Sequence, residues 1–99
     1  MKIEYRHGKS AQEAYERIDG LLTALEAQYK DQISDSHRAW NDTNDRMEFG
    51  LEAMGQRISG TLSLEGEMAI LELKLPLLAR MFSGRLERIV REELDKLFP

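Results

Sequence analysis

Between Met47 and Leu75 the chain alternates apolar and polar residues almost without interruption, and this restricts its folding more than any other feature. Met47, Phe49 and Leu51 alternate with Arg46, Glu48 and Glu52. Ile58, Gly60, Leu62 and Leu64 alternate with Arg57, Ser59, Thr61 and Ser63, and Leu71, Leu73 and Leu75 with Glu72 and Lys74. A period of two belongs to a strand with one buried face. Gly55 and Glu65-Gly66 separate the runs by gaps of turn length. Such gaps are too short for a crossover, so consecutive runs pair antiparallel as a meander. The apolar face of that sheet then needs a cover.

Two amphipathic segments supply it. Ser10-Ala11-Gln12-Glu13 is a capping box, followed by Ala14, Ile18, Leu21, Leu22, Leu25 and Tyr29 at helical spacing. This predicts a helix from about residue 11 to residue 30. Gly20 weakens it by about 1 kcal/mol relative to Ala, which implies a close approach of helix to sheet at that point. At the other end Pro76 stops the strand, because it cannot donate to a ladder. Ser83 is placed to cap a final helix through about Phe98, with Leu86, Ile89, Val90, Leu94 and Leu97 as its apolar face.

The remaining elements follow the same patterns. Ile3 and Tyr5 alternate with Lys2, Glu4 and Arg6, giving a first strand. Asp31 to Ser36 is polar and reads as a loop. His37 to Asn41 reads as a short strand with Arg38 and Trp40 on one face, ending in the turn chemistry of Asp42-Thr43-Asn44-Asp45. The expected fold is α+β: one antiparallel sheet of four to five strands with two helices on one face, in the order β-α-β-β-β-β-α. Its 99 residues suit a single domain spanning 1–99, with one core and little material left for a deep cleft.

Composition removes several function classes. With no Cys there is no disulfide, zinc–thiolate site or thiol nucleophile. The opening MKIEYRHGKS has no apolar stretch of the secretory kind, and no run approaches the roughly 18 apolar residues of a membrane span. A cytoplasmic location is expected. The net charge of −4, from 14 Lys and Arg against 18 Asp and Glu, argues against nucleic acid as a partner.

Catalytic and metal motifs fail on spacing. Asp35-Ser36-His37 holds triad residue types, but neighbours on a strand point to opposite sides, and the segment reads as surface loop. Asp42-x-Asn44 opens like a calcium loop, yet Arg46 stands where an oxygen ligand belongs. The glycines form no phosphate-cradling cluster ahead of a helix. The reading is therefore a non-enzyme with no cofactor and no metal. An RNA-binding module, in the manner of double-stranded RNA-binding domains, would have to rely on Arg85, Arg88 and Arg91 near the start of the last helix.

One segment is left without a structural role. Leu75, Pro76, Leu77, Leu78, Met81 and Phe82 form an apolar run longer than a strand exit needs, interrupted by Arg80. Arg85, Arg88 and Arg91 follow at a spacing of three. An apolar edge beside a basic flank is what an interfacial helix presents to an apolar surface bearing acidic groups. The candidate binding surface is therefore Leu77, Leu78, Arg80, Met81, Phe82, Arg85, Arg88 and Arg91. The competing reading folds the apolar members under the sheet or into a dimer contact.

Over its whole length the sequence resembles the polyhydroxyalkanoic acid system family of bacteria. The likeness runs through Lys2-Ile3-Glu4-Tyr5-Arg6-His7, Trp40 and Gly60-Thr61-Leu62. It is sharpest in Leu75-Pro76-Leu77-Leu78, Gly84-Arg85-Leu86-Glu87, Ile89 and Glu93-Leu94-Asp95-Lys96-Leu97. The resemblance implies an accessory role beside the polyester granule, without catalytic activity. Its partner would be the granule surface or a granule protein; a homodimer working through an exposed sheet face or edge is the alternative. It also implies Pro76 as strand stop, Gly84 and Leu86 as helix entry, and Ile89 and Leu94 as core.

Overall fold

A computed structural model describes residues 1–53 and 55–99. The elements are β1 (Lys2–Arg6), α1 (Ala11–Gln28), β2 (Ile33–Trp40), β3 (Arg46–Ala53), β4 (Gln56–Glu65), β5 (Met68–Lys74), α2 (Leu77–Arg80) and α3 (Ser83–Leu97). The five strands form one antiparallel sheet in the order β1-β5-β4-β3-β2. This is the expected α+β arrangement with a third, four-residue helix added. The meander from β2 to β5 is sequential, and β1 adds to its far side against β5.

Register converts the alternation into two faces. Ile3, Leu71, Leu62, Met47 and Trp40 lie opposite one another across all five strands. Leu73, Gly60, Phe49 and Arg38 form the adjacent row on that face. α1 contributes Ala14 and Ile18 to the core beneath it, and Leu94, Leu97 and Phe98 at the end of α3 join the same core. The two long helices thus share one face. The opposite face carries Lys2, Glu72, Thr61, Glu48 and Ala39 in register and is polar.

The ends of α1 follow from local chemistry. Ser10 accepts from the Glu13 N–H at 3.1 Å, as the capping box requires. Gly20 departs from expectation: it is exposed, and a Cβ built there meets nothing within 4 Å. The close approach occurs instead at Gly60, where a Cβ would run into the Glu72 carbonyl and the Phe49 ring. The sheet, and not α1, needs the missing side chain.

Two other boundaries differ from the sequence reading. β2 begins at Ile33, so most of the stretch read as loop is strand, Asp35-Ser36-His37 included. Its polar composition reflects an edge strand with most side chains in water, where alternation carries no burial signal. The register shifts between Ile33 and Asp35, a bulge at Ser34. Ser83 is the first residue of α3, not its cap. Phe82 occupies the cap position, and no side chain hydrogen-bonds the free N–H groups there. Asn41, read as the end of the strand, belongs to the β2–β3 turn and closes it, its Oδ1 accepting from the Asp45 and Arg46 N–H groups at 3.0 and 3.1 Å.

Candidate functional site

Pro76 fixes where the apolar run goes. Its φ of −60° and ψ of 158° turn the chain out of β5, and its missing N–H ends the ladder. The next four residues close a single helical turn, with the Arg80 N–H bonded to the Pro76 carbonyl at 3.1 Å. A second bond, from the Phe82 N–H to Ala79 at 3.0 Å, carries the chain into α3. Leu75 stays buried under the sheet. The side chains beyond it do not: Leu77 is 77 % exposed, Leu78 65 %, Met81 79 % and Phe82 61 %. Four large apolar side chains within six residues therefore form a crest at one end of the molecule.

Behind the crest, Ala79, Phe82, Arg85, Leu86 and Ile89 line a shallow hollow of about 330 Å³. Ile89 is 45 % exposed, which overturns its reading as core. Within the main core cluster of the described residues, α3 is represented by its last turns, at Leu94, Leu97 and the following Phe98. Nearer its start, Leu86 and Val90 are half-buried and Ile89 is exposed. Sequence periodicity assigns Leu86 and Ile89 to a covered face; the position of α3 on the sheet leaves Ile89 only half covered.

The arginines divide into two groups. Arg80, Arg85 and Arg88 are exposed and form no ion pair among the described residues. Arg91 is half-exposed but engaged. Its Nε donates to Glu87 at 3.0 Å and its Nη1 to the Glu4 carbonyl at 3.1 Å, so it fastens α3 to β1. The fastening continues one turn on, where the Tyr5 hydroxyl donates to Asp95 at 2.7 Å. Burial, with this bond and the Asp95 charge, pushes the Tyr5 pKa up to about 12. The basic flank beside the crest is Arg80, Arg85 and Arg88.

The histidines lie by opposite edges of the sheet, His7 just past β1 and His37 in β2, in different settings. His7, at 5 % exposure, sits behind the Phe98 ring with centroids 5.3 Å apart. Its Nδ1 accepts from the Lys9 N–H at 3.0 Å, while its Nε2 has no partner among the described residues. His37 lies on the exposed polar face of β2, over Gly50, where a Cβ would collide with the imidazole. Asp35 on the same face pairs with Arg57 at 3.3 Å. Among the described residues no group of three or more His, Asp or Glu side chains is gathered to hold a metal, and no helix is long and apolar enough to cross a membrane.

No curated protein and no solved structure gives a significant match to the chain. A protein family does, over residues 1–98: the one described as "Putative polyhydroxyalkanoic acid system protein". That match takes in β1, the whole meander, the crest and α3, so it covers every element on which the geometry above depends. The chain belongs to this polyhydroxyalkanoic acid system family.

Proposed function

We propose that the protein is a non-enzymatic accessory protein of the polyhydroxyalkanoate system, residing in the cytoplasm and attaching to the surface of the polyester granule through its crest. The observation that carries this reading is the joint exposure of Leu77, Leu78, Met81 and Phe82. Patches of this kind on small proteins mark surfaces that meet something apolar. A polyester presents apolar chain and ester carbonyls. The crest supplies the apolar contact, and Arg80, Arg85 and Arg88 supply donors for carbonyl oxygens or for anionic groups at the granule surface. Burying one Leu- or Phe-sized side chain is worth about 1.5–3 kcal/mol. Two or three such insertions give attachment that is stable yet reversible.

Co-sedimentation with purified granules tests the proposal. The wild type pellets with granules, while Leu78→Asp and Phe82→Asp, with unchanged circular dichroism, stay in the supernatant. Binding to bare polymer is retained after granule proteins are stripped. Variants that pellet like the wild type overturn the crest as the attachment surface. Binding that vanishes when granule proteins are removed replaces the polymer with a protein partner.

A further inference from the structure

The two edges of the sheet differ at one position. The 41/46 pair is hydrogen-bonded, with the Asn41 N–H reaching the Arg46 carbonyl at 2.9 Å. Alternation along an antiparallel ladder then directs the backbone polar groups of Asp35, His37 and Ala39 toward β3. Those of Ser36, Arg38 and Trp40 point away from the sheet. On the β1 edge the equivalent outward position, the Glu4 carbonyl, is taken by Arg91 of α3. Nothing among the described residues takes the outward groups of β2. Unpaired groups in a row of this kind are a template for another strand.

We propose that β2 pairs with β2 of a second copy of this chain, antiparallel about a two-fold axis at Ser36, joining two five-stranded sheets into one. Side-chain complementarity selects both the partner and the register. With Ser36 opposite Ser36, each Asp35 lies across from His37 of the second copy on the polar face, twice by symmetry; to meet it, Asp35 turns from its exposed pair with Arg57 and His37 from its place over Gly50. An imidazole N–H donates a hydrogen bond to a carboxylate, and complementary side chains directly across strands are favourable. A slip by two residues would set His37 against His37, and a further slip would set Arg38 against Arg38. The side chain of Arg38 lies under α1, bonded to Asp19, Thr23 and Glu26. It therefore leaves its backbone free at the edge without projecting across it. The bulge at Ser34 ends the available edge just past the paired segment. β2 lies three strands from β5, which leads into the crest, so this surface is independent of granule attachment.

Light-scattering mass and a cysteine scan test the pairing. The chain has no cysteine, so each introduced thiol reports alone. The wild type shows a dimer mass that falls toward the monomer on dilution. Ser36→Cys forms an intermolecular disulfide under mild oxidation, at least tenfold faster than His37→Cys or Arg38→Cys. His37→Glu, which opposes two carboxylates, shifts the mass to monomer; adding Asp35→Lys to it restores the dimer. A monomer at all concentrations overturns the proposal, and so does a fastest cross-link at position 37 or 38. The crest variants Leu78→Asp and Phe82→Asp keep the dimer mass, which separates failure here from failure of granule binding.

Discussion

Arg38 donates its Nε–H to Asp19 Oδ1 across 3.0 Å, tying the middle of α1 to the edge strand β2. The same carboxylate oxygen accepts from the Trp40 indole, also at 3.0 Å, and Tyr15 packs edge-on against that indole with centroids 4.8 Å apart. The Arg38 guanidinium continues to Thr23 at 2.7 Å and to Glu26. Burial alone would lower the Arg38 pKa, but the carboxylates of Glu26 and Asp19 outweigh it and hold it above the ordinary arginine value. One helix face thereby clamps a strand that has a neighbour on one side only.

Asp19→Ala leaves the Trp40 N–H and part of the Arg38 guanidinium without an acceptor. Bonds to charged groups are worth about 1.5–3 kcal/mol, less where water reaches the carboxylate. The Asp19 side chain is 35 % exposed, so a loss of about 1–2 kcal/mol is expected in urea denaturation. Tryptophan fluorescence should change with it, because Trp40 loses its hydrogen-bond partner. An unchanged midpoint would mean that the clamp contributes nothing to stability.

Gly60→Ala tests the tightest place in the sheet. The added methyl meets the Glu72 carbonyl, which belongs to the neighbouring strand and has no room to rotate away, and then the tip of Phe49. Overpacking of this sort costs about 1–3 kcal/mol. Gly60→Ala should therefore lower the thermal midpoint by several degrees, whereas Gly66→Asn, at a turn with φ of 59° that Asn tolerates, should change it little. Equal effects at both positions would remove the distinction.

Where burial is periodic, the sequence predicts the structure. β1, β3, β4, β5 and α1 follow from alternation or helical spacing because each has one face in the core, and α3 follows from spacing although it packs on that core through partly buried residues. β2 is only half legible for the opposite reason. Asp35, Ser36 and His37 are all exposed, so their polarity resembles a loop although their backbone is a strand. Ile89 fails in the other direction: helical spacing marks it as apolar face, but it is 45 % exposed. The crest is legible as surplus, since Leu77, Leu78, Met81 and Phe82 follow a strand stop and fit no period. Their exposure depends on the single turn of α2, which is too short to be read from spacing.

Gly20→Ala should stabilise the protein. Gly20 lies within α1, is exposed, and has open space where the methyl would go. Only the helix propensity changes, by about 1 kcal/mol in favour of Ala. For a chain of this size that corresponds to a rise of roughly 4–8 °C in thermal midpoint. A fall would mean that the position is strained or engaged in some contact that needs glycine.

His7 gives stability a dependence on pH. Burial lowers its pKa below the ordinary histidine value, against smaller opposing contributions from the Gly66 backbone, Glu67 and Glu13. The Lys9 N–H occupies Nδ1, so a second proton at that nitrogen must break the bond that closes the turn before α1. The unfolded chain therefore binds the proton more readily than the folded one, and the slope of unfolding free energy with pH is positive. This contribution is complete above the unfolded value of about 6.5 and is lost as pH falls through it toward the folded value. His7→Asn keeps an acceptor for the Lys9 N–H and does not titrate. Denaturation midpoints of wild type and His7→Asn should therefore run parallel above about pH 7.5. They should diverge below about pH 6.5, with the wild type losing more. Curves that stay parallel to pH 5 would show that His7 accepts its proton as easily folded as unfolded, and that its seat behind Phe98 opens without cost.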